Sequence, residues 1–435
     1  MDSKNMFSPP PLPDRPPALP TQRLALKNGV PVCVTAGGTQ DLIQITCMVR
    51  AGRRYQTRPL TAGFAAMMLS EGTARHSAEQ LAETLDFYGA NFSVEITDDT
   101  ASVTLMALRR HLPALLPLFA EMLFEPSFPQ QQFDMVRERG RQQHLIGLQR
   151  NQTVARRLFL EALYGREHMY GRAVEEADFA ALERHYVADF HRAAYVPGRM
   201  QMFLSGRVQP EDIALIDRCL GEVSLPAPDL PDAAAGFRPA GAHVIRYKGP
   251  QDIQAALRIG GAVCAPGTDD HAALQLMNVV LGGYFGARLM QNLRVEKGLT
   301  YGIHSLIVPM QQSCHLVMIS DVRADAADTA VAEIRREIDR LQQEPVPEEE
   351  LLQAKRFAAG DLLRNFDGPF MQDALRMMLA LYGLPDDYFA TYYDRLAACT
   401  ASEVMAAAQK YLRQENLYEV VVCGLCQESG INGVE

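Results

Sequence analysis

The spacing of apolar residues along this chain alternates between the period of two typical of half-buried strands and the period of three to four typical of amphipathic helices. Pairs of glycine or aspartate, such as those at 37–38 and 98–99, mark turns between these segments. From residue 23 onward the pattern predicts strands at 23–36 and 41–52, helices at 61–70 and 77–88, a strand pair at 91–97 and 100–108, and helices at 109–124 and 129–164.

The same order of elements is predicted a second time, with strands at 243–249 and 254–263, helices at 271–281 and 286–298, a strand pair at 300–308 and 313–322, and helices at 326–343 and 347–365. Two pairs of segments align well: FYGANFSVE with EKGLTYGIH, and FEPSFPQQQFDMVRER with QEPVPEEELLQAKRF. In the second pair, prolines precede a long helix in both copies. A repeat of about 200 residues indicates duplicated domains rather than a solenoid of short units.

The duplication predicts an α+β protein of two homologous domains, each an antiparallel sheet with helices packed on one face. The first domain is predicted at 22–225 and the second at 240–435. Residues 226–239, rich in proline, alanine and aspartate, form the predicted linker. Residues 1–21 are proline-rich and are predicted to be an extended tail or a strap across the surface.

Composition narrows the functional classes. The formal net charge of −10 leaves no basic excess to neutralise phosphates, which argues against a nucleic-acid binder. No run of about 18 apolar residues occurs, so no membrane span is expected. Residues 1–20 lack the apolar core of a secretory signal, which predicts a cytoplasmic protein, or a periplasmic one if a signal peptide has been removed. The eight cysteines are interpreted as reduced core thiols, and the single CxxC, Cys423 and Cys426, is not interpreted as a metal or redox site.

The stretch LGGYFGARLMQNLRVEKGLTYGIHS carries the candidate chemistry. Gly282 and Gly283 allow the backbone to turn or to approach another group closely. An amphipathic helix follows, and Gly298 is predicted to end it. Arg294 then lies near the end of this helix and Tyr301 at the start of the next strand, where it shares a face with the alternate residues after it. A charged donor and a phenol are therefore expected to converge on one spot.

This stretch resembles the segment of the M16 metallopeptidases (pitrilysin-like inverzincins) that carries an arginine and a tyrosine in their second homologous domain. The family pattern is approximately a glycine pair, then F-x-x-R-L, then L-R-x-x-x-G-L-x-Y. The residues that match it in register are Gly282, Gly283, Phe285, Arg288, Leu289, Leu293, Arg294, Gly298, Leu299 and Tyr301. The resemblance extends over the chain from about residue 22 onward.

The resemblance also implies where a zinc site belongs. Active members carry H-x-x-E-H on the first helix of their first domain, where two imidazoles and a later glutamate hold zinc and the motif glutamate is the general base. Here that helix reads TAGFAAMMLSEGT, whose M-L-x-x-G-T ending fixes the register. Gly63 and Met67 occupy the histidine positions, Ala66 occupies the base position, and no acidic residue occurs at 139–160, where the third ligand is expected. No metal is therefore expected in this chain, and its histidines are interpreted as structural or exposed.

In the family, two subunits or two halves of one long chain enclose a chamber, with zinc on one side and the arginine and tyrosine on the other. The resemblance implies the non-catalytic subunit of a two-chain zinc endopeptidase, whose H-x-x-E-H and zinc belong to a partner subunit. Arg294 and Tyr301, with Gly282 and Gly283, would bind unstructured peptides, Tyr301 as an oxyanion donor and Arg294 as a substrate anchor. Two alternatives stay open: a structural or peptide-binding scaffold of the same fold without peptidase activity, and a homodimer that encloses peptides without cutting them.

Overall fold

The computed structural model describes residues 11–19, 22–230, 239 and 243–429. Most of the predicted linker at 226–239, and residues 1–10 and 20–21 of the predicted tail, lie outside these ranges. The described strands are β1 (Gln22–Ala25), β2 (Pro31–Ala36), β3 (Leu42–Val49), β4 (Asn91–Ile96), β5 (Ala101–Leu108), β6 (Met200–Gly206), β7 (Val244–Lys248), β8 (Gln254–Ala262), β9 (Thr300–Pro309), β10 (Cys314–Arg323) and β11 (Tyr418–Cys423).

Helices make up most of the remaining described chain. Those of the first half are α1 (Thr61–Met67), α2 (Ala78–Phe87), α3 (Leu112–Phe124), α4 (Gln130–Leu148), α5 (Asn151–Tyr164), α6 (Glu176–Ala181), α7 (Arg184–Ala194) and α8 (Pro210–Cys219). Those of the second half are α9 (His271–Asn278), α10 (Ala327–Gln343), α11 (Glu348–Arg364), α12 (Gly368–Tyr382), α13 (Tyr388–Ala398) and α14 (Ala401–Tyr411). Two wide-turned π-helical segments, Val279–Gly283 and Met290–Glu296, follow α9.

The two sheets share one strand order. The first sheet runs β1-β2-β6-β3-β5-β4 and the second runs β7-β11-β8-β10-β9, so the second repeats the first without a counterpart of β1. Neighbouring strands are antiparallel except for β2 with β6 and β7 with β11, which are parallel. The α+β fold with mainly antiparallel sheets is confirmed, and a repeated strand order is what a duplicated domain produces.

One face of each sheet is covered by helices of its own half. In the first half, Ile43 and Ile45 of β3 are fully buried with Phe119 of α3 and Phe133 of α4. In the second half the strands β8, β10 and β11 pack against α9, α10 and α14 in a separate core. Alternate residues of each strand point into these cores, which explains the period-two pattern in the sequence.

The helices of each half cover one face of their own sheet, as predicted, and the opposite face is covered by a helix from the other half, which the sequence does not predict. Helix α5 packs Phe159 and its apolar neighbours against β7, β8, β10 and β11 of the second sheet. Helix α12 packs Met377, Ala380 and Leu381 against Cys33, Met48 and Phe203 of the first sheet. The halves therefore exchange one helix each, and both sheets are sandwiched.

This exchange depends on a break in the helix that the sequence predicts as continuous over 129–164. Helix α4 ends at Leu148, and Arg150 has the extended backbone angles φ −114° and ψ 124°. The buried Asn151 side chain donates to the carbonyls of Gln251 (2.9 Å) and Gln254 (2.6 Å) in the second half. The start of α5 is thus tied to the other sheet, which overrides helical continuity.

The described part of the N-terminal segment lies as a strap across the second half. Leu19 is buried among residues of α12 and α13. Arg15 makes a two-pronged ion pair with Asp394, and the Tyr393 hydroxyl donates to the carbonyl of Pro13. The strap alternative of the tail prediction therefore applies to residues 11–19.

Cysteine usage differs from the prediction at one place. Cys423 and Cys426 form a disulfide, whereas the sequence predicts reduced thiols throughout. The CxxC spacing is compatible with a disulfide, but only the structure shows that the turn after β11 brings the two sulfur atoms together. Among the described helices, none has the length and apolar content needed to cross a membrane.

Candidate functional site

Arg294 lies in the last turn of the π-helical segment Met290–Glu296. Leu289 and Leu293 are fully buried in the core of the second half. Their packing fixes the orientation of the helix and therefore the position of Arg294. Gly298, at φ +60°, ends the helix in the left-handed region, where an added side chain is strained. The predicted helix end at this glycine is therefore confirmed.

Tyr301 lies at the start of β9, the edge strand of the second sheet. Ile303 pairs with Ser320 and Thr300 with Val322, so two residues of β9 oppose one residue of β10 in a β-bulge. Ile303 and Ser305 are fully buried, but the Tyr301 side chain is 89% exposed. The predicted shared strand face is wrong for Tyr301, because the bulge turns it out of the alternating pattern.

Arg294 contacts both Tyr301 and Phe285, and these three residues are named here the aromatic–arginine platform. The Cζ atom of Arg294 lies 4.8 Å from the ring centre of Tyr301 and 5.1 Å from that of Phe285. Each cation–π contact contributes about 0.5–1 kcal/mol at an exposed site. No carboxylate of the described residues pairs with Arg294, so the rings orient its guanidinium without neutralising it.

A polar network on the other side of the helix holds this segment in place. The buried Asn292 amide donates to Glu333 (3.0 Å) and Glu337 (2.7 Å) of α10. Lys297 donates to the Asn292 carbonyl oxygen at 2.7 Å. The hydrogen bond from Lys297, followed by that from Asn292, lowers the pKa of the Glu333 carboxyl below its usual value.

Arg288 fixes the start of the same segment, a role that the sequence does not reveal. Its guanidinium donates two 2.8 Å hydrogen bonds to Glu350 in the first turn of α11, and its side chain is 9% exposed. These bonds raise the pKa of Arg288 above its ordinary value. The motif contains both Arg288 and Arg294, but of these two only Arg288 forms an ion pair with a described residue.

The two glycines of the motif have different environments. A Cβ on Gly282 would lie 2.9 Å from the Cβ of Ser305 and 3.0 Å from its nitrogen, so this glycine lets the π-helical segment touch β9. Gly282 is buried, whereas Gly283 is half-buried. Substrate binding by Gly282 and Gly283 stays a prediction.

The positions of the zinc motif lie on α1 in the first half, away from the helix and strand that form the platform. A Cβ on Gly63 would meet nothing within 4 Å, Ala66 is 2% exposed and Met67 is 45% exposed. Glycine, alanine and methionine offer neither an imidazole nor a carboxylate, so these residues do not fit zinc. Among the described residues, no three His, Cys, Asp or Glu side chains gather in a metal-binding cluster.

Three histidines, His144, His191 and His315, contact neighbouring side chains or backbone in the protein interior. The His144 ring lies 5.5 Å from the Phe179 ring, and desolvation lowers its pKa. His315 shares a 2.8 Å hydrogen bond with the Tyr164 hydroxyl, and His191 contacts the Leu123 carbonyl at 2.9 Å. Burial lowers the pKa of both to about 4, so they stay neutral core residues.

The chain was compared with protein families and with individual proteins. Residues 34–177 match the family described as "Insulinase (Peptidase family M16)", and residues 181–357 match the "Peptidase M16 inactive domain". The chain is 21% identical over 351 residues to the "Uncharacterized zinc protease YmxG" of Bacillus subtilis, covering 80% of this chain and 84% of that protein. It is 23% identical over 297 residues to the "Uncharacterized zinc protease Mb2805c" of Mycobacterium bovis, covering 67% of each.

Two solved structures share the fold. A peptidase M16 inactive domain from Pseudomonas fluorescens superimposes with a TM-score of 0.81 at 24% identity, covering 93% of this chain and 98% of that one. A protease from Helicobacter pylori superimposes with a TM-score of 0.84 at 16% identity, covering 93% and 99%. Together, the matched domains and the shared two-sheet fold show that this chain is a member of the M16 peptidase family.

Proposed function

We propose that this chain is the substrate-binding subunit of a two-chain M16-type zinc endopeptidase and that it supplies Arg294 and Tyr301 to a site whose metal belongs to a partner. The observation that carries the proposal is a contrast between the two halves. The zinc-motif positions hold Gly63, Ala66 and Met67, whereas the aromatic–arginine platform is exposed and oriented. The relatives named zinc proteases support the reaction class.

The platform offers two kinds of donor to a peptide. Hydrolysis builds negative charge on the scissile carbonyl oxygen, and a donor aimed at that oxygen contributes about 3–4 kcal/mol. The exposed Tyr301 phenol suits this task because no described group hydrogen-bonds its hydroxyl. The Arg294 guanidinium, held flat against two rings, can donate to a neighbouring substrate carbonyl. The metal and the general base would come from the partner.

The strand that carries Tyr301 also favours a peptide as the ligand. Strand β9 is the edge of its sheet and pairs only with β10 among the described strands. An edge strand presents free backbone donors and acceptors, and an extended peptide can pair with them. An unstructured segment bound along β9 would run beside Tyr301 and Arg294.

Reconstitution tests the proposal directly. A partner carrying H-x-x-E-H is mixed with this chain or its variants, and turnover of an unstructured peptide is measured. Adding the wild-type chain should raise turnover. Tyr301→Phe should lower kcat about 100-fold, the effect of losing one oxyanion donor. Arg294→Ala should raise KM at least as much as it lowers kcat, because its task is positioning.

A second arginine–tyrosine contact provides the matched control. The Cζ atom of Arg58 lies 3.9 Å from the ring centre of Tyr186 in the first half. Arg58→Ala and Tyr186→Phe should leave turnover within about twofold of the wild type, since neither residue belongs to the platform. Equal turnover with wild-type chain and with the Arg294→Ala/Tyr301→Phe double variant would reject the proposal and favour a scaffold without a part in catalysis.

A further inference from the structure

A half-open polar surface, named here the α5–β9 shelf, lies beside β9 on the face of the second sheet that α5 covers. Its floor is one row of paired strand residues: His304 of β9 lies opposite Ile319 of β10, and Ile319 lies opposite Arg258 of β8. Side chains that oppose one another in neighbouring strands share a face of the sheet. His304 is exposed, whereas Ile319 and Arg258 are half-buried. Helix α5 therefore leaves the β9 side of this row open to a ligand.

Helix α5 places a second arginine over the same row. Gln152, Arg156 and Phe159 are spaced by four and three residues, so they lie along one stripe of the helix. The Gln152 side chain donates to the Asp321 carboxylate, and the Phe159 ring lies 5.8 Å from the His315 ring. Helix α5 thus runs along β10 from Asp321 towards His315, and Arg156 lies between these two contacts.

We propose that Arg156 and Arg258 bind a carboxylate of the peptide that the aromatic–arginine platform engages. This inference rests on the proposed function, because it takes that peptide as the ligand. His304 follows Tyr301 by three residues, which is about 10 Å along an extended strand. A carboxylate about three residues from the carbonyl bound at Tyr301 would therefore reach the shelf.

The protein itself does not neutralise either arginine of the shelf. Within the described ranges, Arg156 and Arg258 form no ion pair, and the buried Nε atom of Arg258 has no hydrogen-bond partner. The Asp321 carboxylate lies nearby, but its Oδ2 accepts from Gln152. Two guanidinium charges against one carboxylate leave an excess positive charge, and the forked guanidinium matches the geometry of a ligand carboxylate.

The environment of Arg258 shows the cost of the missing partner. Burial, followed by the charge of Arg156, lowers the pKa of Arg258 to about 10. Burial also lowers the pKa of His315, and the charges of the same two arginines act in the same direction. A partly desolvated charge is unfavourable unless a counter-charge lies beside it. A bound carboxylate would supply that counter-charge.

Peptide binding to the full-length chain, without a partner subunit, tests the proposal. Three N-terminally labelled peptides of alanine and serine are compared by fluorescence anisotropy at fixed ionic strength. The neutral peptide has a central glutamine and an amidated C-terminus; the second has a central glutamate instead, and the third has the glutamine with a free C-terminus. We expect at least one carboxylate-bearing peptide to bind about tenfold more tightly than the neutral one. The tighter of the two identifies a side chain or a chain terminus as the source of the carboxylate.

Removing either charge of the shelf should weaken this preference. Arg258→Met and Arg156→Gln should each weaken binding of the preferred peptide about fivefold or more and leave binding of the neutral peptide unchanged. The matched control is Arg157→Gln, which removes the next arginine along α5. Arg157 pairs with Glu175 at 3.3 Å, so its loss should change the affinity less than about twofold.

Thermal melting separates a binding role of Arg258 from a structural one. Arg258→Met should melt no more than about 2 °C below the wild-type chain, because it removes a charge that no described carboxylate pairs with. A larger fall would overturn the proposal, since the arginine would then stabilise the fold. The proposal is also overturned if all three peptides bind equally or not at all, or if Arg157→Gln weakens binding as much as Arg156→Gln does. Each of these results leaves the reconstitution assay of Arg294 and Tyr301 to judge the proposed function separately.

Discussion

Arg288 and Arg294 belong to one short motif but have opposite environments. Arg288 is locked to Glu350 and is nearly buried, whereas Arg294 lies between two exposed rings. The sequence locates both through the register of the motif. It does not distinguish their roles, because Glu350 lies 62 residues further along the chain and only the fold brings it to Arg288.

Asp373 is a residue that the sequence does not single out, and its environment predicts an unusual pH dependence. It is fully buried on α12 where this helix meets the first sheet, near Thr35 of β2 and Ser205 of β6. Loss of hydration raises the pKa of the Asp373 carboxyl to about 7, although the two hydroxyl groups act in the opposite direction. The folded chain therefore holds a proton that the unfolded chain releases above about pH 4.

The sign of the effect follows from proton binding. Between about pH 4 and pH 7 the folded state carries the Asp373 proton and the unfolded state does not, so the free energy of unfolding falls as pH rises and levels off above about pH 7. Asp373→Asn should remove this slope and raise stability at pH 8 by about 2–4 kcal/mol. Urea unfolding of both proteins from pH 5 to pH 8 measures the difference.

The exposed Asp339 of α10 provides the control for this experiment. Asp339→Asn should keep the wild-type slope, because this side chain is in contact with water in the folded chain as it is in the unfolded chain. A wild-type slope that persists unchanged in Asp373→Asn would show that other groups cause it.

At the scale of elements, local signals predict most boundaries. The prolines at 126 and 129 predict the start of α4, and Ser77 caps α2 through a capping box with Gln80. The break between α4 and α5 is missed because QRNQT contains neither glycine nor proline, and a contact with the other half causes it. Likewise, the alternation at 301–305 does not reveal the bulge that exposes Tyr301.

The ion pair between Arg288 and Glu350, which joins the Arg294-bearing segment to α11, gives a prediction at the scale of elements. Glu350→Gln should lower the free energy of unfolding by about 3 kcal/mol, since it leaves the nearly buried Arg288 charge without its carboxylate. Glu349→Gln is the matched control: Glu349 lies in the same helical turn, is exposed and pairs with no described residue, so its loss should cost about 0.5 kcal/mol or less. Urea unfolding of the two variants measures these changes. Equal losses of unfolding free energy would contradict a specific stabilising role of the ion pair between Arg288 and Glu350.

At the scale of the whole molecule, the duplication is readable from the sequence and the exchange of α5 and α12 is not. Segments such as FYGANFSVE and EKGLTYGIH match because each half folds by the same local rules. Periodicity shows that a helix has an apolar face, but it does not show which of two similar sheets covers that face.

The exchange predicts that neither half is stable alone. Residues 1–230 expressed separately would leave Met48 and Phe203 of the first sheet without α12, and residues 239–435 would leave the second sheet without α5. Each fragment should be aggregated or bind a hydrophobic dye, whereas co-expression should give a soluble complex. The control is the intact chain cut once within 226–239, which should stay associated; a soluble, cooperatively unfolding single fragment would refute the prediction.

The same exchange affects the order in which a newly made chain can fold. Synthesis proceeds from the N-terminus, and 176 residues separate the last residue of β6 at 206 from the last residue of α12 at 382. At about 5–20 residues per second, the first sheet waits roughly 10–35 s at the ribosome before α12 exists. Helix α5 waits longer still, until β11 at 418–423 completes the second sheet. A premature stop before residue 382 should therefore leave the first sheet uncovered, so it should damage the first half as well as the second.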